Sequence, residues 1–232
     1  MKDTLSFFQA SPDTRTMHYH KLTFSMHYFY NENFLLPFSH DEVVHGKAAS
    51  VQKMNGADYE EKFAQARALY MYMYAHPGKK LNFMGNEIGH MREWDEKRQQ
   101  DWDLLKYPAH DSFHRFMKEL NHIYLENPAF YKNDYGQKGF EWVDCKNEKL
   151  VVYAFLRKAK KQTILTVFNF SDKDVPEYRM KLSNARKAAL LFNSNWECFG
   201  GTALREKVDI PVESFLDIGI RRYSALFFEI RK

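Results

Sequence analysis

Cysteine is scarce: 232 residues contain two, Cys145 and Cys198, far apart in the chain. Two distant thiols do not build a disulfide framework, and a reducing, cytoplasmic setting is expected. No apolar run approaches the ~20 residues that a membrane-crossing helix needs. The opening stretch MKDTLSFFQASPDTR lacks the apolar centre of a signal peptide, so no membrane partner is expected. A basic stripe is also missing. The 34 Lys and Arg are dispersed among 30 Asp and Glu, for a formal net charge of +4, and nothing tracks a phosphate backbone, which argues against nucleic acid. There is no internal repeat and no low-complexity tract. What the chain does have is 44% hydrophobic residues, enough to bury a core in one large or two small domains. Aromatics reach 16%, a fraction that suits dense cores and sugar rings alike, with core the default for any single ring.

The chain has two textures. In the first half, LTFSMHYFY (22–30) reads as a short helix, although its aromatic content also permits a strand, and FLLPF (34–38) reads as a strand. Asp58 and Glu61 form a capping-box signature, after which Tyr59, Phe63, Ala66, Tyr70 and Met73 follow helical spacing. Leu69 and Tyr72 widen that stripe and predict a helix pressed on more than one side. Pro77 and Gly78 end it, and KLNFMG (80–85) follows as a second strand. Two strands joined by one long helix predict a βαβ unit with parallel strands. Residues 86–109 read as a polar loop. Phe113, Phe116, Met117, Leu120, Ile123 and Tyr124 then mark an amphipathic helix that stops at Pro128.

From Gly139 the runs shorten to FEWVDC, LVVYAFLRK, TILTVFNFS, YRMKL, KAALLFN and YSALFFEI, separated by Lys-Asn-Glu, Ser-Asp-Lys and Asn-Ser-Asn turns. That spacing predicts an antiparallel β-sandwich of roughly 90 residues. The expected organisation is α/β plus all-β, with a boundary between Pro128 and Gly139 that divides the chain into 1–130 and 131–232.

The polar cluster in NFLLPFSHDEVVHGK (33–47) is the chemical centre of interest. HDEVVH looks like a zinc-helix signature, but that chemistry needs histidines at i and i+4 on a helix. Here His40 and His45 are five apart and follow a strand, so no metal is expected. The alternatives are a solvated polar loop and a catalytic one. His40 and Asp41 stand where the first strand gives out, the end at which parallel α/β folds build active sites. The second strand runs out into NEIGHMREW, which carries Glu87 and Trp94. Neighbouring strands lie roughly 5 Å apart, so Asp41 and Glu87 could overlook one cleft. Charged residues also collect in loops for solubility, and spacing alone does not choose.

NFLLPFSHDEVVHGK, followed by HPGKKLNFMGNEIG and REW, closely resembles the 1,4-α-glucan branching enzymes of glycogen biosynthesis, in the α-amylase superfamily. YHKLTFSMHYFYNEN, DWDLL and GFEWVDC extend the resemblance over nearly the whole chain. The family acts by cutting an α-1,4-glucan and passing the cut piece, through a covalent glycosyl-enzyme, to a 6-hydroxyl. The resemblance gives His40 the role of hydrogen-bonding the donor sugar. It gives Asp41 that of engaging ring hydroxyls as an oxocarbenium-like transition state forms, which a fixed carboxylate binds better than the ground state. It places Glu87 and Trp94 in the cleft wall, with loop anchoring as the alternative, and leaves Glu42 to His45 to shape the loop. It implies no cofactor and an α-glucan substrate.

The two groups that break and remake the acetal come from earlier strands of the family's barrel. The chain is therefore expected to hold the last two strand-helix units, the C-terminal quarter of a (β/α)8 barrel, followed by the β-sandwich. It is expected to be inactive alone and to need a complementary N-terminal polypeptide, with the sandwich folding independently and the first half only partly ordered. A second class is a non-catalytic glucan-binding module that stacks sugar on Trp142, Trp196 or Tyr223. A lone hydrolase pairing Asp41 with Glu87 has no supporting strand framework.

Overall fold

The computed structural model describes residues 1–146 and 149–232; Asn147 and Glu148 of the expected Lys-Asn-Glu turn lie outside the described residues. Helix α1 (Lys2–Gln9) leads through a 3₁₀ turn at Pro12–His18 to α2 (His20–Thr23) and α3 (Ser25–Tyr28). Residues 22–30 are thus helical, as expected, but broken into single turns, none of which has a side-chain cap. Strand β1 (Leu35–Phe38) follows, then α4 (Tyr59–Ala75) and β2 (Lys79–Asn82), which lies parallel to β1 with Leu35 opposite Lys79 and Phe38 opposite Asn82. The βαβ unit is therefore present.

The α4 cap forms as its sequence dictates. Asp58 Oδ1 accepts from the Glu61 amide at 2.8 Å, and the Glu61 carboxylate reaches back to the Ala57 amide, one residue beyond the usual box. From Gln65 to Ala75 every residue of α4 is buried, so the helix is enclosed on all sides. Strand β2 stops at Asn82, short of the expected 85, because Gly85 turns the chain with φ +90°. Two 3₁₀ turns, Asn86–Ile88 and Trp102–Lys106, break the expected loop before α5 (Pro108–Glu126).

The second half forms β3 (Phe140–Asp144), β4 (Val152–Ala159), β5 (Gln162–Asn169), β6 (Val175–Lys181), β7 (Lys187–Asn193), β8 (Asp209–Pro211), β9 (Phe215–Ile220) and β10 (Ser224–Arg231). Six of them make an antiparallel sheet in the order β3-β4-β5-β10-β7-β8, and β6 pairs with β9 in a separate antiparallel ribbon. Strands β8 and β9 were not among the expected runs. Strand β8 is three residues long and ends in proline. Strand β9 carries a clean alternation, with Leu216, Ile218 and Ile220 buried and Phe215, Asp217 and Gly219 exposed.

Alternation along the strands gives the large sheet two different faces. Val152, Ala154, Leu165, Val167, Leu226 and Phe228 meet Tyr178, Met180, Leu216 and Ile218 of the ribbon. The opposite face is aromatic: Tyr153, Phe155, Phe168, Phe192 and Phe227 share one interior with α1, α4 and α5. The aromatic face of the large sheet is thus covered by α4 and its neighbours, a contact not read from the sequence.

Buried arginines tie the halves together. Arg157 of β4 donates to Asp134 at 2.7 Å and to the carbonyls of Phe130 and Ala75. Arg15 donates to the carbonyls of Phe8 and Phe170 and to Gln65. Trp196 and Tyr223, two of the three rings considered for sugar stacking, are buried, and Trp142 packs edge-on against Phe140 and Phe155.

Candidate functional site

Strand β1 ends at Phe38, Ser39 stays extended, and His40–Glu42 form a single 3₁₀ turn. This lifts His40 and Asp41 off the C-terminal end of the parallel pair with side chains 52% and 68% exposed, the imidazole Nε2 3.4 Å from Asp41 Oδ1. Strand β2 continues its ladder one residue further through Phe83, whose amide donates to Phe38 O at 2.9 Å. The rings of His40, Phe83 and Trp94 then form a cluster, edge-to-face for His40–Trp94 and Phe83–Trp94 and tilted for His40–Phe83, with centroids 5.8 Å apart for His40–Phe83, 6.1 Å for His40–Trp94 and 5.3 Å for Phe83–Trp94. Trp94 is fixed at its backbone, which donates to Val43 O at 2.9 Å.

Between these groups lies an open cleft of about 710 Å³ whose lining includes His40, His45, Arg92, Glu93, Trp94 and Arg98. The loop over it is folded unusually. His45, Gly46 and Ala48 all have positive φ, at +58°, +77° and +63°. For His45 and Ala48 that costs about 1–3 kcal/mol each. The compensation is visible: the Gly46 and Ala48 amides both turn onto one carboxylate, Glu93, at 3.0 and 2.8 Å. Those two bonds hold the Glu93 carboxyl below its ordinary range. Lys47 secures the same loop by donating to Asp41 O, and the nearly buried Lys53 donates to Glu42 O. On the far wall, Arg92 donates to Asp101 at 2.8 Å, and His90 lies 3.0 Å from the same carboxylate. Burial pushes the Asp101 carboxyl up, but these two neighbours outweigh it and leave it below the usual range.

Of the four residues singled out from sequence, the structure brings His40 and Trp94 together in the cleft wall, sets Asp41 against His40 outside that lining, and puts Glu87 in a separate turn. Glu87 sits half-buried in the 3₁₀ turn Asn86–Ile88, where its charge acts on Tyr70 and Tyr74, and it is not among the cleft's lining residues. Glu93, Arg92 and Phe83 went unremarked individually. Their signal was adjacency, since Arg92 and Glu93 immediately precede Trp94 in REW and Phe83 lies inside the second strand run. Among the described residues, no cluster of three His, Cys, Asp or Glu is placed to hold a metal ion.

Residues 142–231 match the family described as Alpha amylase, C-terminal all-beta domain. The 1,4-alpha-glucan branching enzyme GlgB of Aquifex aeolicus is 44% identical over 206 residues, covering 88% of this chain and 32% of that protein. The namesake from Oceanobacillus iheyensis is 43% identical over 87% of the chain, and that from Nitrosococcus oceani 40% identical over 97% of it. The chain is similar to the C-terminal part of the glycogen branching enzymes. It spans about a third of the length of the curated branching enzymes it matches. Among solved structures, an alpha-amylase from H. orenii superposes with a TM-score of 0.60 at 18% identity, covering 99% of this chain and 47% of the amylase, a likeness of fold. The likeness to branching enzymes therefore takes in both the cleft at the end of β1 and the antiparallel sheets.

Proposed function

We propose that the chain forms part of a 1,4-α-glucan branching enzyme, with His40 and Asp41 supporting the donor glucose while its bond to the glucan is cut and transferred to a 6-hydroxyl. Residues 1–130 then correspond to the last two strand-helix units of a (β/α)8 barrel and residues 131–232 to a C-terminal sandwich domain, working on glycogen or amylose in the cytoplasm. The observation that carries this is a polar, exposed pair at the C-terminal end of a parallel strand, beside a cleft walled by an aromatic ring. The imidazole can donate to a sugar hydroxyl. The Asp41 carboxylate can accept from ring hydroxyls and stabilise positive charge as the ring flattens. Trp94 offers a ring edge and part of a face to the glucose beside them, and Glu87 lines a more distant stretch of the path.

Retaining transfer needs two carboxyl groups about 5 Å apart, one of which carries a proton. In the cleft Glu93 is held ionised by the loop amides. By the likeness to branching enzymes, the nucleophile and the acid/base are assigned to the other barrel strands, carried by a complementary polypeptide. Titrating the chain with maltoheptaose and following His40 and the Trp94 indole by NMR tests the donor site. Shifts at both, weakened by Asp41→Asn, are expected. Shifts confined to Trp142 would move the function to a binding module, and no shift at the cleft would overturn the donor-site assignment.

A further inference from the structure

A second cavity lies at the N-terminal end of α4, between that helix and the turn that follows β7. It holds about 170 Å³ and is lined on one side by Glu60, Glu61 and Ala64 and on the other by Asn195, Gly200 and Thr202. It has room for several waters, or for one small ion and its hydration. Arg67 closes its floor, one and two turns along the same helix face from Ala64 and Glu60.

Arg67 is only 4% exposed. Its Nε donates to Ser194 O at 2.8 Å, which fixes the plane of the guanidinium. Among the described residues, its two terminal nitrogens make no hydrogen bond or ion pair, and they keep contact with the solvent of the cavity. The other arginines around the cavity are already satisfied: Arg222 pairs with Glu61 at 3.1 Å and Arg221 with Asp174 at 2.6 Å. Those two acids are thereby paired at the rim, and Arg67, in ion-pair contact with neither Asp58 nor Glu60, is the one arginine of the lining with no ion pair among the described residues. Burial alone acts on it, drawing its pKa down to about 10. By contrast, the equally buried Arg157 has a carboxylate at 2.7 Å. The backbone keeps the space open: Gly200 has φ +80°, and a Cβ there would stand 3.0 Å from Ser112 Oγ and 3.8 Å from Arg67 Nη1.

We propose that this cavity binds a small oxyanion, a phosphate or carboxylate group held by the two terminal nitrogens of Arg67. A planar guanidinium with both terminal amino groups free is the natural bidentate partner of such a group. The Thr202 hydroxyl, which already accepts from Asn195 Nδ2 at 3.0 Å, keeps its proton for the same ligand. Asp58 and Glu60 at the mouth limit the site to a single small anion and exclude a polyanionic chain. The site is separate from the His40 cleft and does not depend on the glucan reading.

The test titrates the full chain with inorganic phosphate and, separately, with acetate, at constant ionic strength set by chloride, following the Arg67 side-chain NMR signals and the melting temperature. A saturable response to phosphate alone assigns a phosphate-type ligand, and one to acetate as well assigns a general carboxylate or phosphate site. Arg67→Gln should abolish the response. Since that change also touches the Ser194 contact, Ala64→Leu serves as the second variant: it keeps Arg67 and the helix, narrows the cavity, and should weaken binding by about tenfold. No saturable response to either anion in the unmodified chain, or a response unchanged in Ala64→Leu and in folded Arg67→Gln, overturns the proposal.

Discussion

At the scale of single residues, the cleft depends on one carboxylate that touches no substrate in the proposed chemistry. Glu93 gathers the amides of Gly46 and Ala48 and so offsets the left-handed backbone of His45 and Ala48. Its folded-state pKa is depressed, so its stabilising contribution is present above the ordinary carboxylate value and is lost as pH falls through the lowered one. Amide hydrogen exchange should therefore show Gly46 and Ala48 protected at neutral pH and unprotected in acid, and Glu93→Gln should remove the protection at neutral pH. Protection that is indifferent to the variant would place the loop's stability elsewhere.

Arg157 presents the same logic in the interior. Burial raises the Asp134 carboxyl, but Arg157 and Lys80 outweigh this and leave it below its ordinary value. Stability from the pair is thus held above about pH 4 and lost below. Arg157→Met leaves the buried Asp134 with Lys79, at 3.0 Å, as its one paired cation and should cost about 3 kcal/mol in urea unfolding. The position of His40 and Asp41 at the end of β1 was legible because strand ends are visible in sequence. The bracing of the loop by Glu93 was not, since two amides converging on a glutamate 45 and 47 residues away leave no local pattern.

At the scale of elements, hydrophobic period and caps carried most of the information. Asp58 and Glu61 announced the start of α4 and Pro77-Gly78 its end, and the parallel pairing of β1 and β2 followed from the helix between them. Strand β9 shows alternation as clear as any strand but was masked by Asp217 and Gly219, residues that read as turn formers; here they simply occupy the exposed face. The crowding of α4 was partly visible in Leu69 and Tyr72, yet nothing local said that an aromatic sheet face would supply the second contact. Sequence separation hides such contacts, as the Tyr72–Phe168 ring pair illustrates, with centroids 5.5 Å apart. Leu69, wholly buried in this shared interior, offers the test. Leu69→Ala should cost about 2–5 kcal/mol. The helix signal in far-UV circular dichroism and the aromatic near-UV signal should move together to one new midpoint. Separate midpoints would show that the two halves fold independently.

At the scale of the whole molecule, a βαβ unit and a six-stranded antiparallel sheet share one core, and a polar cleft stands at the end of the parallel strands. That arrangement accounts for why the two textures of the sequence belong to one chain: the sheet supports α4, and α4 sits between the strands whose ends carry His40 and Trp94. The proposed division of labour puts transition-state support here and the bond-breaking carboxyls on complementary strands. Branching of amylose, followed by the fall in iodine colour, measures this most directly. The chain alone should leave the colour unchanged. Mixing it with a polypeptide carrying the earlier barrel strands of a branching enzyme should restore the fall, and Asp41→Asn in this chain should slow the restored reaction by about 100-fold or more. Branching by the lone chain, or full activity of the mixture with Asp41→Asn, would contradict it.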